Sequence, residues 1–243
     1  MHVLILGANS DMAQALARKF AQAERAHLIL ASRDLELLAK QARDLEIRFQ
    51  VKARPLYFDA TDFPSHAGFY DSLDRKPDVV ILAFGYLGDQ KRAQENFGEA
   101  RRIISVNFVG AVSILEIIAH DFEVRGHGCI IGISSVAGER GRQSNYLYGA
   151  AKGALSLYLG GLRNRLYPRG VRVLTVLAGF VATKMTEHLD LPEKLLATPE
   201  EVAEDVYRAF TRGKEKVYTK GRWKWIMWII KAIPEKLFKR LKL

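Results

Sequence analysis

Tyr148 and Lys152 stand four residues apart in NYLYGAAKGAL, a spacing that places both side chains on one face of a helix. An ammonium held beside a phenol favours the phenolate, so the pair predicts a tyrosine whose pKa is drawn down from about 10 toward working pH. Thirteen residues before Tyr148 lies Ser135, at the end of the apolar run CIIGIS and before the loop SVAGERG. A hydroxyl at the carboxyl end of a strand is where open α/β sheets place ligand contacts. Asn107, in SVNFVG, falls inside a long helical pattern, where an amide is a poor helix former and needs a reason to be there. Asn107, Ser135, Tyr148 and Lys152 form the candidate catalytic set, suited to moving a proton at a substrate oxygen. No metal site is expected.

These residues need a scaffold, and the sequence alternates short apolar runs with amphipathic segments. HVLILG precedes a helical pattern through Phe20, HLILAS precedes one near Leu35 to Leu45, and RPLYFD and DVVILAFG follow. A long helix near Ala100 to Phe122, the run GCIIGISS, a helix near Ser144 to Tyr167 and the run VRVLTVLAG complete the series. Continuous apolar strands with helices between them predict a parallel sheet covered on both faces, a Rossmann-like, doubly wound α/β fold in a single domain. TPEE at Thr198 to Glu201 predicts a capped helix from about Pro199 to Thr211, and a short strand near Val217 to Thr219 would close the sheet edge. The expected division is a catalytic domain over residues 1–220 and an amphipathic helical tail over 221–243.

After the first apolar run comes GANSDMA, residues Gly7 to Ala13. A strand, a turn of small residues and a helix direct backbone N–H groups and the positive end of a helix at a pyrophosphate. Gly7, Asn9, Ser10, Asp11 and Met12 are therefore expected cofactor contacts, although Asp11 and Ala13 stand where two further glycines of the fingerprint would fall. A carboxylate beside a pyrophosphate is repulsive, so Asp11 is expected to turn away and cap the helix. The plainer alternative is a tight turn whose Ser10 or Asp11 is the cap. The second run ends in ASRD, which presents Ser32 and Arg33 where an adenosine ribose would lie. A small hydroxyl followed by a guanidinium suits the 2′-phosphate of NADP, and Asp34 keeps NAD as the alternative.

The net charge is +10, yet residues 212–243 hold eleven Lys and Arg against Glu215 and Glu235, which leaves the body nearly neutral. A protein that grips duplex DNA would spread its basic residues over the folded body, so nucleic acid is not an expected partner. The single cysteine, Cys129, sits in GCIIGI and predicts a buried thiol and a reducing, cytoplasmic compartment. MHVLILGAN shows no basic leader or cleavage site, so no signal peptide is expected. WIMWII is far shorter than the roughly 20 residues of a spanning helix. In helical register Ile226, Ile229, Ile230, Ile233, Leu237 and Leu241 fall on one stripe, Pro234 introduces a break, and Lys231, Lys236, Lys239, Arg240 and Lys242 crowd the remaining surface. Trp223, Trp225 and Trp228 suit a headgroup boundary. The tail either packs on its own body or across a dimer interface, or lies as an interfacial helix on anionic lipid at the cytoplasmic membrane.

Gly7, Asp59, Asn107, Ser135, the YGAAK motif and the turn AGFVATKM together resemble the short-chain dehydrogenase/reductase family over about residues 1–220. The resemblance implies an oxidoreductase that passes a hydride between nicotinamide and a carbonyl or secondary alcohol, working as a homo-oligomer. It implies Tyr148 as general acid or base, Ser135 as a hydrogen-bond partner of the reacting oxygen, and Lys152 on the nicotinamide ribose beside Tyr148. It further implies Asn107 as holder of a relay water, Asp59 and Ala60 at the adenine, Gly85 along the cofactor, and Gly179, Val181 and Thr183 at the carboxamide. The chain departs from the family pattern at LAFG after the fourth strand, at Ala178 in place of a proline, and in the depleted glycine turn. SSVAGERGRQSNYLYGAAKGAL and the tail are similar to bacterial reductases of polyprenyl-phosphate-linked keto sugars, which implies a lipid-linked substrate with Arg140 and Arg142 near its phosphate. Two other readings stay open: a soluble reductase of small carbonyls or acyl thioesters with a dimerising tail, and a non-catalytic nucleotide sensor.

Overall fold

The computed structural model describes residues 1–187 and 190–241. Seven strands, β1 (His2–Leu6), β2 (His27–Ser32), β3 (Ala53–Tyr57), β4 (Val79–Leu82), β5 (Cys129–Ser135), β6 (Arg172–Ala178) and β7 (Lys216–Tyr218), form one parallel sheet in the order β3-β2-β1-β4-β5-β6-β7. The chain builds outward from β1 to β3, then returns to start β4 against β1, registering Val3 on Val79. That reversal makes a switch point, where the carboxyl ends of β1 and β4 diverge and leave a crevice. Along β1, Val3 and Ile5 join one core and Leu4 and Leu6 the other, because successive side chains leave a strand on opposite faces. Both faces are covered, so the strand is apolar from Val3 to Leu6 and carries no polar alternation there.

Helices α1 (Asp11–Glu24) and α2 (Leu35–Phe49) cover the first face. The other face takes α3 (Ser65–Asp71) and a long helical run that follows the short α4 (Gln90–Glu95). This run comprises α5 (Phe97–Ile104), a π-helical segment (Ser105–Val109) and α6 (Gly110–Arg125). It is long and apolar enough to cross a membrane, but Ile114, Leu115, Ile118 and Phe122 are buried against the sheet, as in a core helix. α7 (Tyr146–Leu166) packs beside it, and α8 (Pro199–Thr211) joins α1 on the first face. The start of α8 is the capping box anticipated from TPEE: Thr198 Oγ1 accepts from Glu201 N at 3.1 Å and Glu201 Oε2 accepts from Thr198 N at 2.8 Å. Cys129 is buried, and burial pushes its thiol up to about 12, so it is inert.

Gly7 turns the chain from β1 into α1 at φ +84°, and a Cβ there would lie 2.5 Å from Phe84 N. Gly7→Ala combines a left-handed backbone with a backbone clash, and is expected to cost at least about 2 kcal/mol, read as a lower urea midpoint.

The tail forms α9 (Arg222–Ala232) and α10 (Glu235–Phe238), broken at Pro234 as anticipated. The apolar stripe read from the sequence is divided in the fold. Trp223, Ile226, Met227 and Ile230, spaced by three and four, face the body with Val136 and Leu177, whereas Trp225, Trp228 and Ile229 face outward. Trp223 therefore does not belong to a headgroup boundary: its ring is 2% exposed, against 66% for Trp225 and Trp228. Lys242 lies outside the described residues.

Candidate active site

A cavity of about 810 Å³ opens where β1, β2, β4, β5 and β6 end, lined by Gly7, Ser32, Gly85, Ser135 and Gly179 among others. Asn9, Ser10, Asp11, Met12, Arg33, Asp59, Ala60, Tyr148, Lys152, Val181 and Thr183 also line it, so the fold gathers the anticipated catalytic and cofactor residues, except Asn107, around one space.

At the chemical end, α7 carries Tyr148 and Lys152 over the end of β5. Lys152 is 3% exposed, its Nζ donates to Ile133 O at 3.0 Å, and it lies 5.8 Å from the centre of the Tyr148 ring. Burial without an ion-pair partner among the described residues draws Lys152 down to about 8. Tyr148 is half-buried, and burial pushes it up to about 12, with the Ser135 hydroxyl acting the other way. The depressed phenol expected from the four-residue spacing is thus not what the cleft provides. Desolvation opposes the phenolate, and the ammonium is turned to a backbone carbonyl. The cleft therefore holds the phenol in its neutral form. Ser135 accepts from Ala137 N at 3.1 Å and donates to Ala178 O at 3.3 Å, which fixes its hydroxyl beside the cavity.

Asn107 sits inside the π-helical segment, where Gly110 N–H reaches back to Ser105 O. Its Nδ2 donates to Ile103 O at 2.8 Å and Tyr86 O at 2.6 Å, and its Oδ1 accepts from Tyr86 N at 3.2 Å. Both amide hydrogens are spent on backbone, so the side chain pins the Gly85–Tyr86 turn. Gly85 lies between this amide and Lys152: a Cβ there would be 3.0 Å from Asn107 Oδ1 and 3.4 Å from Lys152 Nζ.

At the other end, Asn9 Nδ2 donates to Asp34 O at 3.1 Å, while Asn9 Oδ1 is buried with no hydrogen-bond partner among the described residues. Asp34 caps α2 through Leu37 N at 3.0 Å, which occupies the carboxylate that kept NAD in play. Arg33 is exposed and makes no ion pair among the described residues. Burial pulls the Asp59 carboxyl up, but the Thr61 N–H and hydroxyl, with Arg33 nearby, hold it below its ordinary value. Ser10, not Asp11, caps α1, through Ala13 N at 3.3 Å. Asp11 instead accepts from Lys184 N at 2.9 Å, joining the glycine turn to the segment after β6. The expected cap failed because a carboxylate at the first helical position points past its own turn and found a backbone donor across the cleft. In that segment Val181 is buried and bridged to Ala197, and Thr183 N donates to Thr186 Oγ1 at 3.2 Å.

Several residues were not anticipated. Tyr86 lines the cavity and donates to Glu99 Oε1 at 2.8 Å, and the same oxygen accepts from Asp89 N. Glu99 is buried one place before Ala100, so a charged residue on an apolar helix face was the readable signal. Arg140 and Arg142, expected near a substrate phosphate, are turned to the tail. Arg140 donates to Ile230 O and Lys231 O, pairs with Glu235 at 2.8 Å and stacks on Phe238; Arg142 meets Met227 Sδ at 3.2 Å. A helix end with unsatisfied carbonyls captured the Arg140 guanidinium.

Comparison with known proteins gives a match to the family described as short chain dehydrogenase over residues 1–194. An uncharacterized oxidoreductase of Mycobacterium tuberculosis is 36% identical over 95% of this chain and 90% of its own length. An NADP-dependent 3-hydroxy acid dehydrogenase of Schizosaccharomyces pombe is 28% identical over 88% of each chain. Among solved structures, a short-chain dehydrogenase from Sphingobium yanoikuyae in complex with NADPH superposes with a TM-score of 0.83 at 23% identity, over 96% of each chain.

Proposed function

Because the chain belongs to the short-chain dehydrogenase/reductase family, we propose that it is an NADP-dependent oxidoreductase that reduces a carbonyl or oxidises a secondary alcohol on a lipid-linked molecule at an anionic membrane surface. The observation that carries the chemistry is the convergence of Ser135, Tyr148 and Lys152 on one cavity whose far end holds Arg33 and the buried Asn9 Oδ1.

The residues present fit a dinucleotide. Asn9 Oδ1 is a buried acceptor that lacks a donor among the described residues, which a ribose hydroxyl would supply. Arg33 and Ser32 would hold a 2′-phosphate, because Asp34 is committed to capping α2. Gly7, Ser10 and Met12 would face the pyrophosphate, Asp59 and Ala60 the adenine, and Gly179, Val181 and Thr183 the carboxamide. Bound nicotinamide supplies or takes the hydride. Ser135 orients the substrate oxygen, and Tyr148, protonated at neutral pH, gives that oxygen its proton as charge builds there. Lys152, buried beside it, would take the ribose hydroxyls and stabilise negative charge left on the Tyr148 oxygen. Asn107 positions Gly85 and Tyr86 against the cofactor.

The membrane reading is supported by the outward Trp225, Trp228, Ile229 and Leu237 among Lys224, Lys236 and Lys239, aromatic and basic side chains that suit a headgroup layer. A polyprenyl-phosphate-linked keto sugar is the substrate class that resemblance and surface favour together.

Cofactor titration by nicotinamide fluorescence tests the reading. The wild-type chain is expected to bind NADPH at least about 10-fold more tightly than NADH, and Arg33→Ala to erase most of that difference with NADH affinity unchanged. Equal affinities in the wild type would exclude the assigned 2′-phosphate site.

A further inference from the structure

Trp223 lies directly behind Gly179, so close that a Cβ on that glycine would stand 1.9 Å from the indole Nε1. The ring meets Phe180 edge-on with centroids 5.0 Å apart, and its buried Nε1 has no hydrogen-bond partner among the described residues. An indole that leaves its N–H unsatisfied is held by shape, and the backbone it fits is the turn after β6. One turn along α9, Met227 is buried against Arg142, while Arg140 and Glu139 hold Ile230, Lys231 and Glu235. The same helix therefore touches both segments that leave the catalytic strands: the loop after Ser135 and the turn at Gly179. Its opposite face leaves Trp225, Trp228 and Ile229 in water.

We propose that α9 couples an anionic phospholipid bilayer, covering its outer face, to the turn that receives the nicotinamide, with Trp223 as the positioning residue. An 11-residue helix is marginal by itself, so its seat on the body is a local equilibrium. Headgroup-depth insertion takes up only the outer aromatics, orders the helix, and leaves the inner face on its matched surface with the bonds of Arg140 intact. The bilayer is the occupant that the charge selects. Residues 222–241 carry six Lys and Arg against Glu235 alone, and Glu235 is already paired to Arg140. The identity of the occupant rests on the membrane reading above, whereas the action of Trp223 on Gly179 does not.

The test uses the full chain with vesicles of phosphatidylcholine, with or without phosphatidylglycerol, and two ligands: NADPH, and adenosine 2′,5′-bisphosphate, which lacks the nicotinamide half. Trp223→Phe is expected to sediment with anionic vesicles as the wild type does and to bind NADPH about 10-fold more weakly, with bisphosphate affinity unchanged. Anionic vesicles are expected to tighten NADPH binding about 3-fold in the wild type, and not in the Trp225→Glu/Trp228→Glu double variant. Bisphosphate binding reports that a variant is folded; if Trp223→Phe is not, Phe180→Leu removes the facing ring and is expected to give the same selective loss. Equal weakening of both ligands in a folded variant, or of neither, overturns the role of Trp223. Sedimentation without tighter NADPH binding overturns the coupling and keeps the membrane reading, whereas no sedimentation overturns the membrane reading and leaves the Trp223 arm to decide the inner face.

Discussion

Tyr148→Phe is expected to lower kcat for carbonyl reduction by about 10³-fold while leaving the Kd for NADPH within about 2-fold of wild type. The substitution removes one oxygen and keeps the ring, so packing against Ala93, Ala100 and Ile103 survives. What is lost is the phenolic proton placed over the end of β5 with the Ser135 hydroxyl beside it. With burial pushing Tyr148 up to about 12, the group is fully protonated at pH 7, and reduction draws on that proton directly. Stopped-flow NADPH oxidation with a carbonyl substrate, set against fluorescence titration of NADPH, separates the two quantities. Turnover at the wild-type rate would exclude Tyr148 as the donor, whereas loss of kcat and cofactor binding together would make the residue structural.

Lys152→Met is expected to stabilise the folded chain at pH 7 by about 1–3 kcal/mol while reducing turnover by at least about 10²-fold. The ammonium is buried with one carbonyl for company, at Ile133, and no carboxylate among the described residues. Its pKa is drawn from 10.5 to about 8, so the unfolded chain keeps its proton between pH 8 and pH 10.5 while the folded chain has released it. The unfolded state then binds more protons, and wild-type stability rises with pH across that window; below pH 8 the burial penalty is fully present. Methionine has no proton to lose, so the advantage of the variant should be full at pH 7 and shrink toward pH 10. Urea midpoints of both proteins at pH 7 and pH 10 check this. A variant less stable than wild type at pH 7 would mean that the buried ammonium finds compensation the geometry does not reveal.

The layered sheet was legible because its strands are buried on both faces and so appear as unbroken apolar runs, as HVLIL and CIIGIS do. The start of α8 was legible because its capping box is complete within four residues. The same locality exposed Tyr148 and Lys152 as neighbours. What was not legible depends on partners distant in the chain. Asn107 is explained by Tyr86, twenty-one residues away, and by a π-helical turn that no periodicity announces. Asp11 found Lys184 N–H, 173 residues on, where a local cap was expected. The direction of the Tyr148 shift was misread because spacing reports proximity to an ammonium and says nothing of desolvation. The tail stripe was read as one face because helical register cannot tell which of two apolar faces the body will take.

Strand order also sets the sequence in which the protein can come into being on the ribosome. β1, β2 and β3 are consecutive and adjacent, so they can pair with one another before any later strand has emerged. The crevice needs β4, the Tyr148 phenol needs α7, and the Gly179 turn is backed by Trp223 of α9. A nascent chain thus completes the strands that carry Gly7, Ser32 and Arg33 before β4 opens the crevice beside them, and well before α7 brings the phenol to it.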